Sequence, residues 1–204
     1  MQQQNRWDER YGGEEYVFGT EPNDFLKSVA ARIPRGRVLC LADGEGRNGV
    51  FLAEQGCDVV SVDASAVGLE KARRLAESRG VTIETVQADL ADYEIAPEAW
   101  DGVVSIFCHL PPELRRSVHQ RVVAGLKPGG AFVLEAYTPD QLRYGTGGPP
   151  TADLMPTLAE LRAELAGLAF EHAAETERAV VEGAGHTGLA AVVQVFAVKP
   201  APAG

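Results

Sequence analysis

The chain has 204 residues, 45% hydrophobic and 24% charged: enough for one full core in a globular protein and not comfortably enough for two. Its formal net charge is −10 and it has no block of Lys and Arg, which argues against nucleic acid as a substrate because phosphate would be repelled over most of the surface. Cys40, Cys57 and Cys108 are odd in number and none sits in a C-x-x-C, which argues against a disulfide framework and a zinc site, so no metal is expected.

Trp7-Asp8-Glu9-Arg10-Tyr11, the pair Gly12-Gly13 and Tyr16-Val17-Phe18-Gly19 form an aromatic arm, read either as packing over the core or as a lid over a cleft. Pro22-Asn23-Asp24 starts a helix whose buried stripe is Leu26, Val29, Ala30 and Ile33. A first strand over Arg37 to Leu41 breaks into the turn Ala42-Asp43-Gly44-Glu45-Gly46, and a helix over Asn48 to Gln55 follows, with Gly56 at its end. Strand two is Asp58 to Val62, followed by Asp63. Ser65 caps the next helix, which carries Leu69, Ala72, Leu75 and Ala76 inward.

Val81 to Val86 alternates as strand three and leads into the acidic loop Gln87 to Tyr93. Strand four, Val103 to Phe107, is a continuous apolar run suited to a strand covered on both faces. Pro111-Pro112-Glu113 opens a helix, Lys127-Pro128-Gly129-Gly130 ends it, and strand five is Ala131 to Ala136. A long Gly- and Pro-rich loop, Tyr137 to Pro150, precedes a Leu-rich helix over Leu158 to Leu168. Two last strands, Phe170 to Val180 and Leu189 to Val198, are joined too closely for a crossover helix and must be antiparallel.

This order predicts a doubly wound α/β domain: a seven-stranded, mostly parallel, Rossmann-like sheet ending in an antiparallel hairpin. The expected organisation is a single domain over 1–204. Within it, 1–22 is the arm or lid, 37–136 the cofactor-binding core, 137–157 a substrate loop and 200–204 a loose tail. Ligands of such sheets bind outside the carboxyl ends of the strands. That selects Ala42 to Asn48, Asp63 to Ser65, Ala88 to Leu90, and Phe107 to His109. Tyr137 to Pro150, which follows strand five, joins them, and so does the hairpin loop Val181 to Gly188 if strand six is parallel to the first five. A glycine turn followed by an acid closing strand two suits a nucleotide, since glycine lets backbone approach a ligand and the acid can hold a ribose diol. Gly44-x-Gly46-x-x-Gly49 alone fits a dinucleotide as well as S-adenosylmethionine. The terminal hairpin and the lack of a separate catalytic domain weigh against a dehydrogenase.

Leu41-x-x-Gly44-x-Gly46, Asp63, Asp89 and Leu126-Lys127-Pro128-Gly129-Gly130 together resemble the class I S-adenosylmethionine-dependent methyltransferases. Trp7 to Tyr11, Tyr16-x-Phe18-Gly19-x-x-Pro22-Asn23 and Gly44 to Asn48 are similar to the small bacterial tellurite-resistance-type group of that superfamily. The chain departs from the superfamily at Cys40, where an acid is usual, and at Ala42, where glycine is usual. Asp43 is the candidate to replace the missing charge.

The resemblance implies that S-adenosylmethionine, leaving as S-adenosylhomocysteine, meets Ala42, Gly44, Gly46, Arg47, Asn48, Asp63, Ala64, Asp89, Leu90 and Phe107. Asp89 would meet the adenine amino group and Leu90 would flank the ring. His109 and His186 are the candidate catalytic residues. Tyr11, Tyr16, Tyr137, Arg143, Tyr144 and Arg178 are the candidate substrate contacts, the arginines making the cleft mouth cationic for an anionic acceptor. The expected acceptor is a small molecule, a thiol or a chalcogen oxyanion such as tellurite, with no nucleic-acid or membrane partner. The rival readings are an NAD-dependent reductase and a non-catalytic nucleotide-binding module. Reduced thiols, no signal pattern at Met1 to Asn5 and no apolar run near the roughly 20 residues of a membrane span lead to a cytoplasmic expectation.

Overall fold

The computed structural model describes residues 2–201 apart from Ala184, with side chains from Arg6 onward. Residues 202–204 of the expected loose tail lie outside the described residues. The helices are α1 (Gln2–Tyr11), α2 (Asp24–Val29), α3 (Arg47–Glu54), α4 (Ala66–Ser78), α5 (Pro112–Gly125) and α6 (Leu158–Glu164). The strands are β1 (Arg37–Leu41), β2 (Asp58–Asp63), β3 (Glu84–Gln87), β4 (Trp100–Ile106), β5 (Leu126–Tyr137), β6 (Ala169–Glu182) and β7 (His186–Val198). They form one sheet in the order β3-β2-β1-β4-β5-β7-β6.

Strands β1 to β5 are mutually parallel, β7 is antiparallel to β5, and β6 is antiparallel to β7. Strand β6 therefore runs parallel to the first five. Its carboxyl end and the hairpin turn lie on the same edge as the turns after β1, β2, β4 and β5.

Side chains alternate across the central strands, and each face finds its own helices. Leu39, Leu41, Val60, Val62 and Val103 pack with Val118 and Val122 of α5 and Leu161 of α6. Val38, Cys40, Val59 and Val104 pack with Leu26 and Val29 of α2 and Leu52 of α3. This coverage on both faces is why β1 and β4 read as unbroken apolar runs. Three local devices start helices. Asn23 accepts from the Leu26 N–H, Ser65 accepts from the Gly68 N–H, and Thr157 with Glu160 forms a capping box.

Several boundaries differ from expectation. Strand β6 runs to Glu182 and β7 starts at His186, which shortens the hairpin loop expected over Val181 to Gly188; β4 starts at Trp100 and α6 ends at Glu164. Val81 to Ile83 is a lead-in rather than strand: only Glu84 to Gln87 finds partners on β2, while Val81 and Ile83 pack near Val50 and Leu75. Strand β5 starts at Leu126, pairs there with Trp100, and resumes at Ala131 opposite Gly102 after the Pro-Gly-Gly bulge. The arm is helical over Gln2–Tyr11. Among the described residues, no helix is long and apolar enough to cross a membrane.

Candidate active site

Strands β1 and β4 are neighbours, and each ends on a non-glycine residue with a left-handed backbone, Ala42 at φ 50° and Phe107 at φ 51°. Such a conformation costs on the order of 1 kcal/mol for a side chain with a Cβ, and strain of this kind concentrates at ligand sites. The turn after β1 also meets the acid that closes β2. Gly44 N–H donates to Asp63 Oδ2 at 2.8 Å and Ser65 N–H to Oδ1 at 2.8 Å, so the acid closing β2 is held by the turn after β1. Burial raises the Asp63 carboxyl above its ordinary range, against the pull of those two N–H groups.

The three glycines of the turn answer to different neighbours. A Cβ at Gly46 would strike Ala72 of α4 at 2.4 Å, and one at Gly49 would strike Asp43 Oδ2 at 2.4 Å and Ser61 Oγ at 2.5 Å. Those two glycines let helices close on the sheet. A Cβ at Gly44 would come within 2.6 Å of the Tyr11 hydroxyl oxygen, on the cleft side. Asp43 turns away from the cleft, where it accepts from Ser61 Oγ at 2.6 Å and from the Gly49 N–H at 3.3 Å. Burial pushes its carboxyl up to about 7, against the pull of the Ser61 and Gly49 hydrogen bonds and of the Arg47 charge. It braces the turn from behind, on the side of the missing acid at Cys40.

The arm covers the turn. The Tyr11 ring lies on Gly68 as well as Gly44 and is 5% exposed. Asp8 accepts from Ser65 Oγ at 2.6 Å, fastening α1 to the start of α4. Glu45 Oε2 accepts from Val17 N–H at 2.8 Å, and its Oε1 meets Lys71 Nζ at 2.9 Å. Asn48 Oδ1 accepts from Asn23 N–H at 2.9 Å.

Across the cleft, aromatic rings gather from the arm, β4, β5 and the hairpin. Phe107 lies 4.6 Å from both Tyr137 and His186, His109 stacks on Tyr137 at 5.6 Å, and Phe18 lies 4.6 Å from His186. His109 Nδ1 donates to the Leu154 carbonyl at 3.2 Å, which leaves Nε2 carrying the lone pair. Among the described residues, His109 Nε2, His186 Nδ1 and the Tyr137 hydroxyl are buried without a hydrogen-bond partner. Buried polar atoms are rarely left so in proteins, and of the six such side-chain atoms among the described residues three gather in this one cluster. Burial holds both histidines neutral, lowering His109 to about 4 and His186 to about 3. The roof is glycine: a Cβ at Gly148 would strike the Tyr137 ring at 2.9 Å, and one at Gly185 the Phe18 ring at 2.5 Å.

The family described as a methyltransferase domain matches residues 38–130. The chain is 26% identical over 133 residues to a 2-heptyl-1-hydroxyquinolin-4(1H)-one methyltransferase of Mycobacteroides abscessus, covering 61% of this chain and 59% of that protein. It is 41% identical over 98 residues to an uncharacterized methyltransferase of Bacillus subtilis, covering 48% of this chain and 38% of that one. The chain thus spans about half the length of the relatives it matches. Its fold matches that of TehB from Haemophilus influenzae with a TM-score of 0.69 at 20% identity, over 96% of this chain and 66% of that chain.

Residues 38–130 thus match a methyltransferase domain, and the chain is similar in sequence and fold to methyltransferases. Its seven-stranded sheet with the antiparallel carboxyl-terminal pair is the arrangement expected from residue order, and the chain shares its fold with solved structures of methyltransferases. The cofactor of this class is S-adenosylmethionine. Gly44 and Gly68 lie under the Tyr11 ring, beside Asp63.

The cofactor candidates divide on this methyltransferase scaffold. Ala42, Gly44, Asp63, Ala64 and Phe107 sit at the carboxyl ends of β1, β2 and β4. Asp89 is exposed on the loop after β3, its Oδ1 accepting from the Ala91 N–H at 2.9 Å, with Leu90 buried beside it. Gly46, Arg47 and Asn48 are committed elsewhere: Gly46 to Ala72, Asn48 to Asn23, and Arg47 to a 2.5 Å pair with buried Glu182.

The expected cationic mouth does not form from the arginines assigned to it. Arg178 is spent on Glu135 and Glu182, both buried, in a cluster that Asn23 also enters. Arg143 is 71% exposed and pairs with Asp140 one turn away, and the Tyr144 hydroxyl donates to Glu177 on the outer surface. Tyr16 donates to the Lys71 carbonyl, on the α4 side of the arm. Tyr11 is buried on Gly44 and Gly68, and Tyr137 is buried against Phe107 and His109.

Four residues take parts here that the sequence reading does not give them. Glu135, Glu45 and Arg121 are not singled out by it, and Asp8, expected on a solvated face, fastens α1 to Ser65. Glu135, an acid inside an apolar strand, is a signal that a buried cation must meet it. Asp8 and Glu45 sit inside motifs already singled out, and only their partners give them meaning. Arg121 of α5 donates to the carbonyls of Leu90 and Tyr93 and so fixes the loop that bears Asp89, with no sequence signal to mark it.

Proposed function

We propose that the protein transfers a methyl group from S-adenosylmethionine to a small-molecule acceptor with a soft nucleophile, a thiol or a chalcogen oxyanion such as tellurite. The observation that carries this reading is the cluster of His109 Nε2, His186 Nδ1 and the Tyr137 hydroxyl opposite the Gly44–Asp63 turn.

When bound, S-adenosylmethionine supplies a methyl group on a positively charged sulfur. Asp63 would hold the ribose diol. The loop fixed by Arg121 would present Asp89 and Leu90 to the adenine. Phe107, with its left-handed backbone, walls the boundary between cofactor and acceptor. Tyr11 and Phe18 close the arm over both ends and exclude water. Loss of water favours a transition state in which opposite charges annihilate, and most of the remaining acceleration comes from proximity and orientation.

The two histidines favour a soft acceptor. Groups protonating near 3 and 4 are weak bases and serve poorly to strip a proton from an amine or a phenol at neutral pH. They remain able to orient an acceptor that already offers a lone pair. The acidic surface and the pairing of the cations near the cleft favour a small molecule over tRNA, the substrate named for some relatives.

Two measurements test the reading. Thermal stabilisation by S-adenosylhomocysteine and not by NAD is expected, and the opposite result would end it. Transfer of a radiolabelled methyl group is expected to thiols or chalcogen oxyanions ahead of amines. Tight cofactor binding with no transfer to any class would favour a binding module instead.

A further inference from the structure

The cations near the cleft are nearly all spent. Arg47, Lys71 and Arg178 each face a buried carboxylate, and Arg115 faces Glu164. Arg10, in the last turn of α1, differs. Among the described residues no carboxylate pairs with it, and its guanidinium instead lies over the rings of Trp7 at 5.5 Å and Phe18 at 5.2 Å. Phe18 is the arm residue that meets His186. The Arg10 Nη2 also borders the hairpin turn: a Cβ at Gly185 would come within 3.2 Å of it. Stacking on two rings fixes the plane of the fork and leaves its N–H groups outward and unshared. The arm thus carries one uncommitted, oriented guanidinium to the edge of the pocket, next to the residue before His186.

We infer that Arg10 is an anion-recognising residue of this cleft, binding a carboxylate or oxyanion of a bound ligand when the arm is closed. This rests on the proposed function for the identity of the site. A planar fork pairs with a carboxylate or oxyanion through two parallel hydrogen bonds. Two ligands can bring such a group: the methionyl end of the cofactor and an anionic acceptor. Because Arg10 rides on the arm, whichever anion it meets also favours arm closure.

The test compares matched ligands with and without the anion. Arg10→Met keeps the length and the apolar contact with Phe18 but removes the charge, and Trp7→Leu loosens the aromatic stack while leaving the charge. Binding is measured for S-adenosylhomocysteine against 5′-methylthioadenosine, which lacks the methionyl carboxylate. It is then measured on the S-adenosylhomocysteine-loaded protein for 4-mercaptobenzoate against benzenethiol. Loss of one charge-assisted contact weakens binding roughly tenfold or more. Such a loss for S-adenosylhomocysteine alone within the first pair assigns the anion to the cofactor. A loss for 4-mercaptobenzoate alone within the second assigns it to the acceptor. Trp7→Leu is expected to weaken both members of a pair alike. If Arg10→Met discriminates within neither pair, by equal binding or by none, the inference is overturned. Wild-type protein that binds no S-adenosylhomocysteine overturns the proposed function as well.

Discussion

Tyr11 lies directly on Gly44: its hydroxyl oxygen occupies the space that a side chain on the glycine would need. The arm and the nucleotide turn are thereby one surface, since Gly44 also holds Asp63 through its N–H. Gly44→Ala should disturb both, through collision with Tyr11 and through a Cβ at φ 56°. The expected result is S-adenosylhomocysteine binding at least tenfold weaker and faster proteolysis at Gly12-Gly13. Tyr11→Ala in the same chain should restore part of the binding. Simple additivity of the two substitutions would show that the contact does not matter.

Asp63→Ala removes the group proposed to hold the ribose and frees the Gly44 and Ser65 N–H groups. A charge-assisted hydrogen bond is worth about 1.5–3 kcal/mol, so affinity for S-adenosylhomocysteine should fall roughly tenfold to a hundredfold. Calorimetric titration measures it, and an unchanged dissociation constant would refute the assignment.

His109→Ala and His186→Ala should each lower methyl transfer by roughly tenfold to a hundredfold while leaving S-adenosylhomocysteine affinity within about twofold, because each removes one acceptor-side hydrogen bond. Equal losses in cofactor affinity and turnover would place the histidines on the cofactor instead.

The histidines also set an acid limit. Their folded values, about 4 and about 3, lie below the ordinary 6.5, so the fold holds them neutral. Their contribution to stability is intact above about 6.5. It is lost as the pH falls from there toward 4 and 3, because the unfolded chain takes up protons that the native pocket refuses. The double variant His109→Gln, His186→Gln should flatten the acid side of a plot of Tm against pH. An unaltered slope would refute this.

Asp43 acts in the opposite sense. Its folded value, about 7, lies above the ordinary 3.8, so its contribution is full below 3.8 and is lost as the pH rises through 7. Asp43→Asn keeps an acceptor for the Gly49 N–H and carries no charge. It should raise Tm relative to wild type by a few degrees more at pH 8 than at pH 5, and not at pH 3. A gain of the same size at all three values would point to packing rather than charge.

Much of the scaffold could be read from residue order. Strand β1 appears over the predicted residues, Ser65 caps α4 as its position implies, and the short link before β7 required an antiparallel pair. These features depend on local chemistry and on the periodicity of buried side chains. Helix α1 could not be read: Gln2 to Tyr11 is polar with no apolar stripe, and what holds it is the docking of Trp7, Asp8 and Tyr11 on α4 and the glycine turn. The same limit applied at the site. Sequence placed His109, Tyr137 and His186 on one edge of the sheet, as topology alone demands. It could not show that Arg178 and Arg47 are consumed by Glu135 and Glu182, because such pairing is a property of three-dimensional neighbours.

Glycine is required at both ends of the proposed site. One added carbon at Gly147 would meet the Gly185 carbonyl at 2.9 Å, and at Gly148 the Tyr137 ring at 2.9 Å, and both hold left-handed backbones, φ 126° and 94°, that side chains rarely adopt. At the other end, a carbon on Gly46 would strike Ala72, and one on Gly49 would strike Asp43 and Ser61. On the proposed function, variation in the acceptor would have to enter through the larger side chains between these two rigid ends.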